Sequence, residues 1–157
     1  MIEQIDNTNP YFARKIYEIF QASYPVEANL IGVELADFPP MQRTQDDFLQ
    51  SDTSFYAKYE GDEVVAVMEL RFKTDALHIQ SLVVHPEHFR KGIGAELIDF
   101  SFRSYPVSCY TVETGAANDP AIALYEKMGF EITETYMTAV GIEKVKMKKQ
   151  LSMSNEQ

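Results

Sequence analysis

Three consecutive runs, "SFYAKYE" (54–60), "EVVAVMELRFK" (63–73) and "ALHIQSLVV" (76–84), are rich in β-branched and aromatic residues and leave no room for a helix between them. Gly61-Asp62 makes a tight hairpin turn, and Thr74-Asp75 separates the second run from the third. The middle of the chain is therefore an antiparallel meander. His85-Pro86 ends it, because proline cannot donate to a ladder. The pattern then alternates. A helix runs from about Gly92 to Ser104 with Ile93, Leu97 and Phe100 on one face, and a strand "SCYTVET" (108–114) follows. Strand, helix and strand imply one parallel pair around a crossover.

The flanks complete the pattern. Ile2 to Ile5 reads as a short strand, and "NPYFARKIYEIFQASY" as a helix with Asn9 as N-cap and Pro10 at its first position. Phe12, Ile16, Ile19 and Phe20 form its buried stripe. Gly32 and Pro39-Pro40 break the segment from Pro25 to Pro40, read as a loop with a possible short helix. Thr44 with Asp47 caps a short helix through Leu49. A last helix has Asp119 as N-cap and Pro120 at the first position, buries Ala121, Leu124, Tyr125 and Met128, and closes at Gly129. "FEITETYMTAVGIEKVKMKK" is a hairpin turning near Gly141, and "KVKMKK" has one solvated face. The expectation is an α/β protein with a mixed central sheet of about seven strands and helices on both faces. One domain spans 1–151, and residues 152–157 form a disordered tail.

Charge and cysteine content exclude several functions. Residues 1–80 carry 14 acidic and 6 basic side chains, or -8; residues 81–157 carry 10 and 8, or -2. A net charge of -10 disfavours nucleic acid, which needs a basic face. The opening "MIEQIDNTNP" has no basic and apolar signal segment, and no apolar run nears the roughly 20 residues of a membrane span. Cys109 is the only cysteine, so no internal disulfide can form, and a cytoplasmic location is expected. Cys109 is better placed as a core strand residue than as a nucleophile. His85 and His88 stand three apart without further Cys or His nearby, so no metal site is expected.

Chemistry concentrates in "LVVHPEHFRKGIGAEL" (82–97). Gly92 and Gly94 let backbone amides converge at a helix N-terminus, where the dipole favours an anion, and Arg90 and Lys91 add charge at the rim. This describes a pyrophosphate cradle. The Walker pattern GxxxxGK(S/T) is absent, and the dinucleotide pattern GxGxxG fails at its third glycine, where Leu97 stands.

The stretch resembles the acyl-CoA loop of the GNAT N-acetyltransferases, Gln/Arg-x-x-Gly-x-Gly/Ala after a strand ending in Val-x-x-Pro or a similar pattern. Val84, Pro86, Gly92, Ile93 and Gly94 match; Phe89 stands where Gln or Arg is usual. "NDPAIALYEKMGF" (118–130) is similar to the family's second motif at Asn118, Ala121, Tyr125, Lys127, Gly129 and Phe130. The resemblance covers about Ser54 to Phe130.

The resemblance implies a GNAT fold and acetyl transfer from acetyl-CoA to a primary amine by direct attack in a ternary complex. The amides of Leu82, Val83 and Val84 would hold pantetheine and polarise the thioester carbonyl. Phe89, Arg90, Lys91, Gly92, Ile93, Gly94 and Ala95 would surround the pyrophosphate. Asn118, Ala121 and Lys127 complete the donor site, with Asn118 on the pantetheine arm. Tyr125 would protonate the leaving thiolate. His78 and Glu69 are the candidates for deprotonating the amine, directly or through water. Tyr24, Glu27, Glu34 and Asp37, in the irregular segment, would wall the acceptor pocket, and their acidity favours a cationic amine. A homodimer through the C-terminal strands is a further expectation. The alternative is a non-catalytic acyl-CoA-binding or regulatory module on the same fold.

Overall fold

The computed structural model describes residues 1–151. The tail proposed for 152–157 lies outside the described residues. The strands are β1 (Ile2–Ile5), β2 (Ser54–Glu60), β3 (Glu63–Phe72), β4 (Leu77–Val84), β5 (Cys109–Gly115), β6 (Glu131–Met137) and β7 (Glu143–Gln150). The helices are α1 (Pro10–Ile31), α2 (Gln45–Gln50), α3 (Ile93–Ser104) and α4 (Asp119–Lys127). The seven strands form one sheet in the order β1-β2-β3-β4-β5-β7-β6. Every neighbouring pair is antiparallel except β4 and β5. The meander and the single parallel pair expected from the sequence are both present.

Each face of the sheet buries its own core. On one face α1 and α2 pack Ile16, Phe20 and Phe48 against Phe55 and Val67. On the other, α3 and α4 cover Met68, Leu77, Ile79, Tyr110 and Met147 with Leu97, Ile98 and Tyr125. Fully burying a side chain of this size contributes roughly 1.5–3 kcal/mol, so these two layers dominate stability. No helix among the described residues is long and apolar enough to cross a membrane.

Two local expectations are corrected. The first helix does not stop at Pro25 but runs on to Ile31, with Pro25 inside it. An internal proline costs on the order of 3 kcal/mol. Burial wins here: Phe20, Tyr24 and Ala28 follow at i, i+4 and i+8 and are all buried. Gly32, at φ 76°, then ends the helix, its N–H reaching the carbonyls of Ala28 and Asn29. Tyr24 and Glu27 are therefore helical residues, not loop residues. The second correction concerns α4, whose N-cap is Asn118 rather than Asp119. The Asn118 side chain accepts the Ala121 N–H, because it is the residue still outside helical geometry. The capping box at Thr44 and Asp47 stands as expected.

One feature of the sheet positions everything else. β4 and β5 pair only at Leu77–Tyr110, His78–Thr111 and Ile79–Val112. β4 continues to Val84 and β5 to Gly115, so their C-terminal ends run on without bonding each other. A notch opens through the middle of the sheet.

Candidate active site

A cavity of about 400 Å³ sits at this notch. Ile79 and Val112, the last paired residues, line it together with the diverging strand ends Gln80 to Leu82 and Glu113 to Gly115. α1 supplies Phe20, Tyr24, Glu27 and Ile31 from one face of the sheet, and α4 supplies Ala121 and Tyr125 from the other. Arg43 and Lys144 complete the charged lining. A ligand here can be reached from both faces, which an ordinary closed sheet does not allow.

The α3/α4 side offers backbone donors. The His85 N–H bonds to the Val65 carbonyl on β3. Alternation along the strand then turns the Val83 N–H toward β3 and the Leu82 and Val84 N–H groups toward the free edge. Beyond them lies the loop into α3. None of the N–H groups from Arg90 to Ala95 finds an acceptor within the described residues, and the first helical bond belongs to Glu96. Arg90 and Gly92 take left-handed backbone, at φ 65° and 76°, which curves these amides inward. At Gly94 a Cβ would meet the Leu124 side chain at 3.0 Å, so glycine lets α3 approach α4. A row of free amides at the N-terminus of a long helix fits a pyrophosphate. The free amides along this edge and loop fit a ligand that carries a pyrophosphate, as acyl-CoA does.

The side chains named from the sequence are distributed unevenly. Phe89 is 41% exposed and its N–H is taken by the Pro86 carbonyl at 3.2 Å, so it adds no free amide to the row. Arg90 is exposed, while the Lys91 ammonium lies 2.9 Å from His88 Nδ1 and 3.7 Å from Glu60. Asn118 is buried, capping α4 and donating to Thr114 Oγ1 at 3.3 Å. Ala121 lines the cavity, whereas Lys127 is exposed at the far end of α4.

Tyr125 lines the cavity and is 6% exposed, with its ring edge-on to Phe130 at 5.6 Å. Its hydroxyl has no hydrogen-bond partner among the described residues, and no buried side-chain polar atom is left unpaired. The hydroxyl therefore opens on the cavity. Burial, with the Glu27 carboxylate adding, pushes its pKa well above the ordinary phenol value, so it holds its proton at neutral pH.

Neither base candidate from the sequence reaches the cavity wall. Glu69 is buried and fully engaged: Arg43 donates to both oxygens at 2.7 and 3.1 Å, Thr53 at 2.7 Å and Ser81 at 2.9 Å. His78 is bound to Thr111 Oγ1 at 2.7 Å, and its pKa is pushed down to about 4, chiefly by burial. Glu34 and Asp37 also lie outside the lining. Glu27 is different. It is half-buried on α1, lines the cavity, and its carboxylate has no hydrogen bond or ion pair among the described residues. Burial pushes its pKa up to about 7, against a lowering from Lys144. The sequence placed Glu27 only as a pocket wall. The spacing of Phe20, Tyr24, Ala28 and Ile31, unbroken across Pro25, was the signal for its helical position.

The chain belongs to the acetyltransferase (GNAT) family, whose model matches residues 13–130. The ribosomal-protein-S18-alanine N-acetyltransferase from Escherichia coli superimposes with a TM-score of 0.75 at 21% identity, covering 98% of this chain and 94% of that one. The PaiA N-acetyltransferase from Thermoplasma acidophilum, in complex with coenzyme A, gives a TM-score of 0.75 at 15% identity, covering 96% and 99%. In sequence, the UPF0157 protein YqkA of Bacillus subtilis (strain 168) is 31% identical over 143 residues, 90% of this chain. The match spans 41% of that relative's length.

Proposed function

We propose that this protein transfers the acetyl group of acetyl-CoA to a primary amine by direct attack in a ternary complex. The observation that carries this reading is the notch between β4 and β5. It joins a row of free amides on the α3/α4 side to an open cavity on the α1 side, so donor and acceptor can meet through the sheet. The donor lies along the free edge of β4, with its phosphates on the amides of Arg90 to Ala95. The Leu82 and Val84 amides supply hydrogen bonds toward the thioester region. Tyr125, protonated and unpaired, gives its proton to the departing sulfur. The acceptor arrives as a cation: Arg43 is neutralised by Glu69, and Glu27 and Glu113 together outweigh Lys144 in the lining.

Two measurements test this. Acetyl-CoA should raise the melting temperature, and release of free CoA thiol should accelerate with some members of a panel of primary amines. Tyr125→Phe should lower kcat by about 10²-fold or more while leaving the acetyl-CoA thermal shift nearly intact. A thermal shift with no amine-dependent thiol release would favour a non-catalytic acyl-CoA-binding module. No shift at millimolar acetyl-CoA would remove the donor assignment.

A further inference from the structure

We propose that Glu27 is the general base of this site, taking the proton from the acceptor ammonium at the α1 wall while Tyr125 serves the leaving group from the α4 wall. The assignment rests on the acetyl-transfer reading above. Its foundation is a process of occupancy. Glu69 is tied by Arg43, Thr53 and Ser81; His78 is tied by Thr111; Glu113 accepts from Tyr136. Glu27 is the carboxylate in the cavity lining left without a partner among the described residues.

Position supports the same role. α1 covers the sheet face opposite α3 and α4, so a group on α1 meets the acceptor rather than the donor. Glu27 also has the acidity that a neutral-pH base needs, since burial brings it to about 7. The ionisable groups sharing the cavity are Tyr24 on its own helix, Arg43 ahead of α2, Glu113 on β5, Tyr125 on α4 and Lys144 on β7. Lys144 keeps Glu27 from rising further.

The two groups are electrostatically coupled. The charged Glu27 carboxylate raises the pKa of Tyr125. When Glu27 takes up a proton that charge disappears, and Tyr125 becomes a stronger acid just as the thiolate departs. The proton count closes. Glu27 removes one proton from the ammonium, and the neutral nitrogen attacks the thioester carbon, forming the C–N bond. The C–S bond breaks and its electron pair takes the Tyr125 proton. The new amide nitrogen loses its extra proton to the phenolate, and Glu27 returns its own to water. The sum is one amide, one thiol and one released proton.

The test compares wild type with Glu27→Gln, using acetyl-CoA and a primary amine that the wild type accepts. Wild-type kcat/KM should rise with pH through a limb near 7. The variant should lose that limb and fall roughly 10²–10³-fold at pH 7, with most of the loss recovered for an amine that is already neutral at that pH. Its acetyl-CoA thermal shift should be unchanged. A readout independent of turnover comes from melting temperature, which in Glu27→Gln should exceed wild type at pH 8 and match it at pH 4. A variant that keeps the limb and its rate, or shows no pH-dependent melting difference, overturns the assignment alone. A wild type that transfers to no amine overturns the transfer reading, and Glu27 with it.

Discussion

Arg43 and Glu69 are a pair that the cavity depends on without using. Glu69 is 1% exposed, and the guanidinium that serves both its oxygens is stacked 4.4 Å over the Phe48 ring. Removing one member of a buried pair leaves an uncompensated charge, which costs about 3–5 kcal/mol. Arg43→Met should therefore lower the unfolding free energy by about 3 kcal/mol in urea titrations, and Glu69→Gln added to it should recover part of the loss. A cost under about 1 kcal/mol for the single change would mean that Thr53 and Ser81 suffice to hold the carboxylate. The same engagement separates Glu69 from Glu27. Both are carboxylates near the α1 side of the notch, yet only the one without donors is available to take up a proton. Residue type could not distinguish them, because the difference lies in neighbours 12 to 26 positions away along the chain.

Among the elements, α3 and α1 show what a sequence reveals and what it hides. The N-terminus of α3 was legible because Gly92 and Gly94 announce themselves locally. One takes a backbone angle that side chains resist, and the other stands against a second helix. Gly92→Ala meets no atom within 4 Å, so its cost is purely conformational, about 1–2 kcal/mol. That penalty falls on the curved amides. KM for acetyl-CoA should rise about tenfold with kcat less affected, and an unchanged KM would mean that the amides are not the phosphate site. The strands and both motif helices were legible for a similar reason, since their periods are local, although the α4 cap lies one residue earlier than expected, at Asn118. α1 was not. A proline in the sequence argues for a helix end, and that rule loses here to Tyr24 and Ala28, whose burial depends on strands far along the chain. The error carried a consequence: with the helix cut at Pro25, Glu27 had no defined direction, and its position opposite Tyr125 could not be read.

At the scale of the whole molecule, proton uptake tilts stability in opposite senses at two sites. His78 titrates at about 4 in the fold against 6.5 unfolded, so the unfolded chain binds more protons between these values. Stability from this group is full above pH 6.5 and is lost as pH falls toward 4. Glu27 titrates at about 7 against 4.5, so the fold binds more protons and stability falls as pH rises through that window. His78→Gln should remove the acid-side slope between pH 6.5 and 4, whatever it does to absolute stability. A melting curve against pH with the slope unchanged would show that the imidazole does not titrate as its burial requires. The sheet order has its own consequence for how the protein is made. β7 follows β6 along the chain, yet it lies between β5 and β6 and bonds both along their length. Until it emerges, β5 is held only by its three residue pairs with β4, and β6 has no strand beside it. A chain truncated near Gly141 would carry an open strand edge, a form prone to stick to its neighbours. Such a chain holds the amide row at the start of α3, but its cavity at the notch is incomplete, because Lys144 is missing from the lining.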